Sequence, residues 1–193
     1  MHYEPKTISR KVFVRRAGQL VLLASVPTGL TMCGGAEFDR KLRFQTLDQA
    51  LDELDTASRA PALEVPGNWN LFQVLSHLAQ SIEFSVQGFP EEKSALFQGT
   101  VGSLAFSFFD SRGYMNHGLN DVIPGAPELN PEGNPERGFA RIRSAIDLFR
   151  NTPENELKPH FAYGQLTKDQ YERAHAYHVA NHFSVIRYLD STG

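Results

Sequence analysis

The chain has 193 residues, of which 41% are hydrophobic and 21% charged, close to the average for a globular protein, so disordered and fibrous classes are excluded and one domain is expected. Residues 1–33 hold five basic side chains against Glu4 alone, so the net charge of −3 divides into +4 at the start and −7 in the remainder, which disfavours a nucleic-acid or other polyanion partner. The only cysteine is Cys33, so everything after it lacks thiolates and any metal site there must use nitrogen and oxygen ligands.

In chain order, residues 6–16 are basic, residues 17–30 are mostly apolar, and Gly34, Gly35 and Ala36 are small. This is the order of an export signal, and the apolar run, interrupted by Pro27 and Gly29, is too short to span a bilayer. Residues 1–36 are therefore read as a leader and 37–193 as the folded domain, which predicts export, with the bacterial periplasm as the destination. Ser9-Arg10-Lys11-Val12-Phe13-Val14 resembles the twin-arginine signal, with Lys11 in the place of the second arginine. Leu30-Thr31-Met32-Cys33 is similar to a lipoprotein cleavage box, with Met32 where that box has a small residue; a lipid on Cys33 would be the one expected link to a membrane.

Helix one is expected over about 46–59, where Leu47, Ala50, Leu51 and Leu54 recur at helical spacing behind the capping box Thr46 and Gln49. Pro61, Pro66 and Gly67 then break the chain. Asn70 with Gln73 forms a second box, Trp69 and Val74 a hydrophobic staple, and helix two runs over about 71–87. Residues 92–115 are in partly helical order, interrupted by Gly99 and Gly102. Residues 116–134, with Pro124, Pro127 and Pro131, form a long crossing connection. Asn134-Pro135 starts helix three, whose stripe is Phe139, Ile142, Ile146 and Phe149. Thr167 and Gln170, with Leu166 and Tyr171 as staple, open helix four, expected over about 168–190. Four amphipathic helices, no strand and a crossover between helices two and three predict an all-α four-helix bundle.

The chemistry lies in the histidines. On helix four, Tyr171, His178, His182, Val185 and Leu189 fall within about 60° of one another, which puts two imidazoles one turn apart on the apolar face. A buried neutral imidazole needs a partner for each ring nitrogen, and one cation satisfies two neighbouring rings together. His77 on helix two is the candidate third ligand, although it lies about 120° from the centre of its own helix's stripe. The pair His175 and His178 is the alternative on helix four. His117 and His160 sit in connections, where a carbonyl-bonded or solvated ring is expected; His160, just before helix four, is close enough in sequence to reach the pocket.

The stretch from Asn68 and Trp69 through Pro90, together with Ile123-Pro124-Gly125-Ala126-Pro127 and His160 through Thr167, resembles the DinB-like superfamily of metal-binding four-helix bundles, in its branch called domain of unknown function 1569, over about residues 43–190. The resemblance implies a metal triad of one histidine on helix two and a His-x-x-x-His pair on helix four, which maps to His77, His178 and His182. Members often carry a glutamine three residues after the last histidine, where this chain has Val185. The superfamily includes thiol-dependent transferases and isomerases, and the branch has no assigned reaction.

Three neutral imidazoles leave a position open on a divalent transition metal such as Zn, Ni, Fe or Cu. That arrangement suits a metal-dependent hydrolase or a thiol-dependent transferase acting on a small molecule, the thiol being external. Gln80, Glu83 and Tyr163 are the nearest candidates for acid, base or orienting roles, with Glu83 expected to be solvated. The competing reading is a module that binds a metal or small ligand without turnover, or pairs with a second copy as a homodimer.

Overall fold

The computed structural model describes residues 38–189; the leader and Cys33 lie outside the described residues. The described part is mostly helical with one small sheet. Helix α1 spans Leu47–Arg59, β1 Ala62–Glu64, α2 Leu71–Gln87, α3 Ala95–Phe97, α4 Ser103–Arg112, α5 Pro135–Asn151, α6 Lys168–Phe183 and β2 Arg187–Leu189. Among these residues no helix is long and apolar enough to cross a membrane.

Each long helix starts where its cap places it. Thr46, Asn70 and Thr167 close reciprocal boxes with Gln49, Gln73 and Gln170, so two of the otherwise unpaired N-terminal donors are satisfied at each start. Asn134 accepts from the Arg137 amide while Pro135, with no amide proton to lose, takes the first helical position. The core then forms from the inward stripes: Leu47, Ala50 and Leu54 of α1, Leu75, Leu78 and Ile82 of α2, Ile142, Ile146 and Phe149 of α5, and Tyr171, Val179 and Phe183 of α6, all buried.

The most extensive helix contact is α2 on α5. It is close because Gly138 of α5 has no side chain: a Cβ there would stand 2.9 Å from Leu75 Cβ. Outside the core the pair is clamped by Arg141 of α5, whose Nε and Nη2 donate to the two carboxylate oxygens of Glu83 at 2.9 and 2.7 Å. Residues 113–134 carry no regular helix or strand, and they run along α2. Side-chain amides of Asn70, Gln73 and Gln80 donate in turn to the carbonyls of Pro131, Leu129 and Pro127, so the polar edge of α2 holds the connection antiparallel to itself.

Two expectations are corrected. The sequence suggests no strand, yet β1 and β2 pair antiparallel, with Leu63 opposite Tyr188 and Glu64 opposite Arg187. Helix four stops at Phe183 instead of continuing to 190. The reason is at Ser184, whose carbonyl accepts from the Arg40 amide at 2.8 Å and whose hydroxyl accepts from the Leu42 amide at 2.9 Å. The segment entering α1 thus occupies the end of α6 and diverts the chain. Tyr188 is then fixed by donating to Glu53, which also receives both guanidinium nitrogens of Arg40.

Residues 92–115 also resolve into something more specific than a partial helix. Between α3 and α4, residues Gln98–Gly102 form a π turn, and a Cβ on Gly102 would fall 1.8 Å from the Ala162 carbonyl oxygen. Backbone cannot yield as a flexible side chain does, so Gly102→Ala is expected to destabilise the fold by about 1–3 kcal/mol or more, read as a lowered midpoint in urea or thermal unfolding. An unchanged midpoint would mean that this approach is absent in solution.

Candidate metal centre

His77 lies on the buried middle of α2, where every residue from Val74 to Ile82 is buried. His178 and His182 lie one turn apart on α6, which is buried continuously from Ala174 to Ala180 and again at His182 and Phe183. The capping boxes set the register of both helices, and the packing of α2 and α6 brings the three rings together. One nitrogen from each of His77, His178 and His182 lies within 4.8 Å of the other two. His77 Nε2 and His178 Nε2 are 3.1 Å apart. The ring centroids of His77 are 4.9 Å from those of His178 and 5.1 Å from those of His182. Trp69, ahead of the α2 cap, covers the group, with its ring 5.0 Å from His77 and stacked at 6.4 Å on His182.

The electrostatics favour uncharged imidazole. Burial, reinforced by His117, pulls the His77 pKa down from 6.5 to about 3. Burial also holds His178 and His182 well below the ordinary histidine value, with the neighbouring histidines adding to the effect. Neutral rings carry lone pairs, but two lone pairs facing each other at 3.1 Å require a proton or a cation between them. His182 Nε2 is buried with no hydrogen-bond partner at all. A buried polar atom without a partner costs free energy. The three nitrogens fit a divalent transition metal, since imidazole is a ligand type such ions accept and a shared ion satisfies all three.

The chain matches the family model described as "Protein of unknown function (DUF1569)" over residues 36–188. The chain belongs to this family. No curated protein and no solved structure matches it.

In this DUF1569 domain the other sequence candidates sort by position. His175, the alternative partner of His178, lies on the same face of α6 nearer its start, stacked on Tyr171 and edge-on to Phe149, and is not one of the three converging residues. Glu83 is held by Arg141 and is not the free, solvated carboxylate expected. Gln80 is committed to the Pro127 carbonyl. Val185 lies beyond the end of α6, so it does not continue the face that carries His182.

A cavity of about 180 Å³ opens beside the centre, lined by His77 and His178 at one end and by His160, Tyr163 and His175 at the other, with Phe109 and Ile123 among the apolar walls. His160 accepts from the Ala162 and Tyr163 amides at its Nδ1, so its neutral ring carries the proton on Nε2. Tyr163 stacks on it at 4.2 Å, and burial pushes the Tyr163 hydroxyl up to about 12. The residue missed from sequence is His117. Its ring lies 4.8 Å from that of His178 and 5.3 Å from that of His182, and its Nδ1 donates to the Gly118 carbonyl at 2.9 Å. The expected carbonyl bond is present, but so is a place beside the pair.

His77, His160 and His175 each have a pKa of about 3 because burial disfavours the charged ring. The unfolded chain therefore binds more protons than the folded one below pH 6.5, and stability falls with falling pH. For the metal-free protein, stability should be nearly level above pH 7. It should then decline from about pH 6.5 towards pH 3, each of these groups contributing up to about 1.4 kcal/mol per pH unit. Thermal unfolding in chelator at stepped pH measures this, and a level profile down to pH 4.5 would contradict the burial of these rings.

Proposed function

We propose that this protein is an exported, metal-binding four-helix bundle of the DinB-like superfamily, in which His77, His178 and His182 hold a divalent transition metal such as Zn, Ni or Fe, and that it acts as a metal-dependent hydrolase or thiol-dependent transferase on a small molecule. The observation that carries the reading is the convergence of one nitrogen from each of three neutral imidazoles within 4.8 Å, in a group where His182 Nε2 is buried without a hydrogen-bond partner. The four long helices α1, α2, α5 and α6, with the connection 113–134 between the second and third, support the bundle. The leader residues 1–36 support export to the periplasm.

A divalent ion bound there would act as a Lewis acid, polarising an oxygen or sulfur of the substrate. The chain's own residues do the rest. Trp69 covers one side of the centre and excludes water from it. Phe109, Ile123 and the other apolar walls take the body of a small molecule entering the cavity. At the far end, His160 offers an Nε2–H donor whose direction is set by the two amides on its other nitrogen, which suits a neutral acceptor such as a carbonyl. No thiolate is available from the folded domain, so a transferase reaction takes its thiol from a second substrate.

Purified without a histidine tag, the protein should carry close to one transition-metal ion per chain by mass spectrometry. His178→Ala and His182→Ala should each weaken metal binding by about 100-fold or more. They should also abolish the thermal stabilisation that metal confers on the wild type, about 2.7 kcal/mol at a hundredfold excess over Kd. Negligible metal in the wild type, with both variants folding normally, would end the proposal. Turnover of activated esters without thiol marks a hydrolase, and turnover that needs added thiol marks a transferase.

A further inference from the structure

His117 is the fourth imidazole against this centre, and it comes from a different element than the other three. Its ring-to-ring separations of 4.8 and 5.3 Å from His178 and His182 match those within the triad, which are 4.9, 5.1 and 5.0 Å. Its Nδ1 faces the Gly118 carbonyl oxygen, which can only accept, so Nδ1 carries the ring proton and Nε2 of the neutral ring keeps a lone pair. An imidazole anchored through one N–H to a carbonyl, with the other nitrogen free, is the arrangement found behind most metal-bound histidines, because the anchor sets the tautomer and orients the ring.

The backbone around His117 is built to keep the ring there. Asn181, next to His182 on α6, donates its side-chain amide to the His117 carbonyl at 3.3 Å. The Gly118 amide donates to Asp121 at 3.1 Å, closing the turn, and Asn120 accepts from the Asn68 amide just ahead of α2. The loop is thus tied to both helices that carry the triad. His117 also lines two cavities, the one of about 180 Å³ beside His77 and a second of about 930 Å³ beside Asn181 and Val185, so it stands as the partition between them. Its nitrogens lie outside the set that converges within 4.8 Å. Ligation by His117 therefore requires its loop to move inward when the ion binds.

We propose that His117 is a fourth nitrogen donor to the cation held by His77, His178 and His182. This rests on the three-histidine reading above and extends it. With His117 engaged, a tetrahedral ion such as Zn has no position left, whereas an ion that takes five or six ligands, such as Ni or Fe, keeps one or two. His117 therefore decides which metals leave the centre open to a small molecule.

The test uses the full chain, stripped of metal and loaded with Cu(II) or Zn(II). The Cu(II) electron paramagnetic resonance spectrum of the wild type should show four nitrogen donors. His117→Ala should show three and bind about 10- to 100-fold more weakly. In the wild type itself, with histidine labelled by ¹⁵N, Zn(II) should move the Nε2 resonance of His117 together with those of the triad, a readout that needs no variant to fold. If His117→Ala keeps the wild-type copper spectrum and affinity, or if the His117 nitrogens ignore Zn(II) while the triad responds, the fourth donor is disproved and the three-histidine site stands. If the wild type takes up neither ion, both proposals fall.

Discussion

The seam between α2 and α6 is where the molecule concentrates its unmet polar demand, and the surrounding structure works to keep that seam closed. Three imidazoles face one another in an apolar interior, where each is held neutral and where one nitrogen, His182 Nε2, has no partner in the protein. Left alone, such a group opposes folding, since a buried unpaired acceptor or donor costs about 1–3 kcal/mol. The helices must therefore be held together by interactions elsewhere. Gly138 allows α5 to lie directly on Leu75, Arg141 grips Glu83 across the same pair, and on the other side Arg173 of α6 donates twice to Asp110 of α4. These clamps lie away from the imidazoles and hold the register in which the rings meet.

The same logic explains why the site is neutral rather than acidic. Asp110, Glu53 and Glu83 are each tied to an arginine, and none of them belongs to the converging set. A centre of neutral nitrogens gains one unit of charge per unit of cation charge and has no carboxylate to offset it. An ion bound by these nitrogens would have to be one that accepts imidazole, since Mg and Ca take oxygen ligands. The cavity continues towards His160 and Tyr163, and among the described residues the one carboxylate in its lining is Asp121, which also accepts from the Gly118 amide.

How much of this was legible in the sequence depends on how local the cause is. The starts of α1, α2, α5 and α6 are readable because each is decided locally, by a capping box in α1, α2 and α6 and by Asn134 followed by Pro135 in α5, and all four appear where those caps put them. The spacing of His178 and His182 was readable for the same reason. His77 looked misplaced, about 120° off the stripe of its helix, because stripe analysis assumes that one face meets solvent. Helix α2 is buried on nearly every side through its middle, so its flank is interior too. The short strand at 187–189 was invisible because its cause is distant: the amides of Arg40 and Leu42, far back in the chain, end α6 at Ser184. His117 was undervalued in the same way. A histidine beside a glycine in a proline-rich connection gives no periodic signal, and only Asn181, Asn120 and the amides along α2 bring that connection to the centre.

The route of the 113–134 connection is the last link between fold and chemistry. Three amides on one edge of α2, those of Asn70, Gln73 and the buried Gln80, donate to carbonyls of a segment rich in proline, whose residues have few backbone donors of their own to satisfy. Because Gln80 lies one turn beyond His77 on α2, the connection is guided past the triad and not out over solvent. It supplies His117 on one side of the centre and Ile123 to the cavity wall. The helices do not supply that side of the three rings, where His117 lies 4.8 Å from His178 and 5.3 Å from His182. Here a segment without regular structure covers it, held by side-chain amides of which one, Gln80, is itself buried.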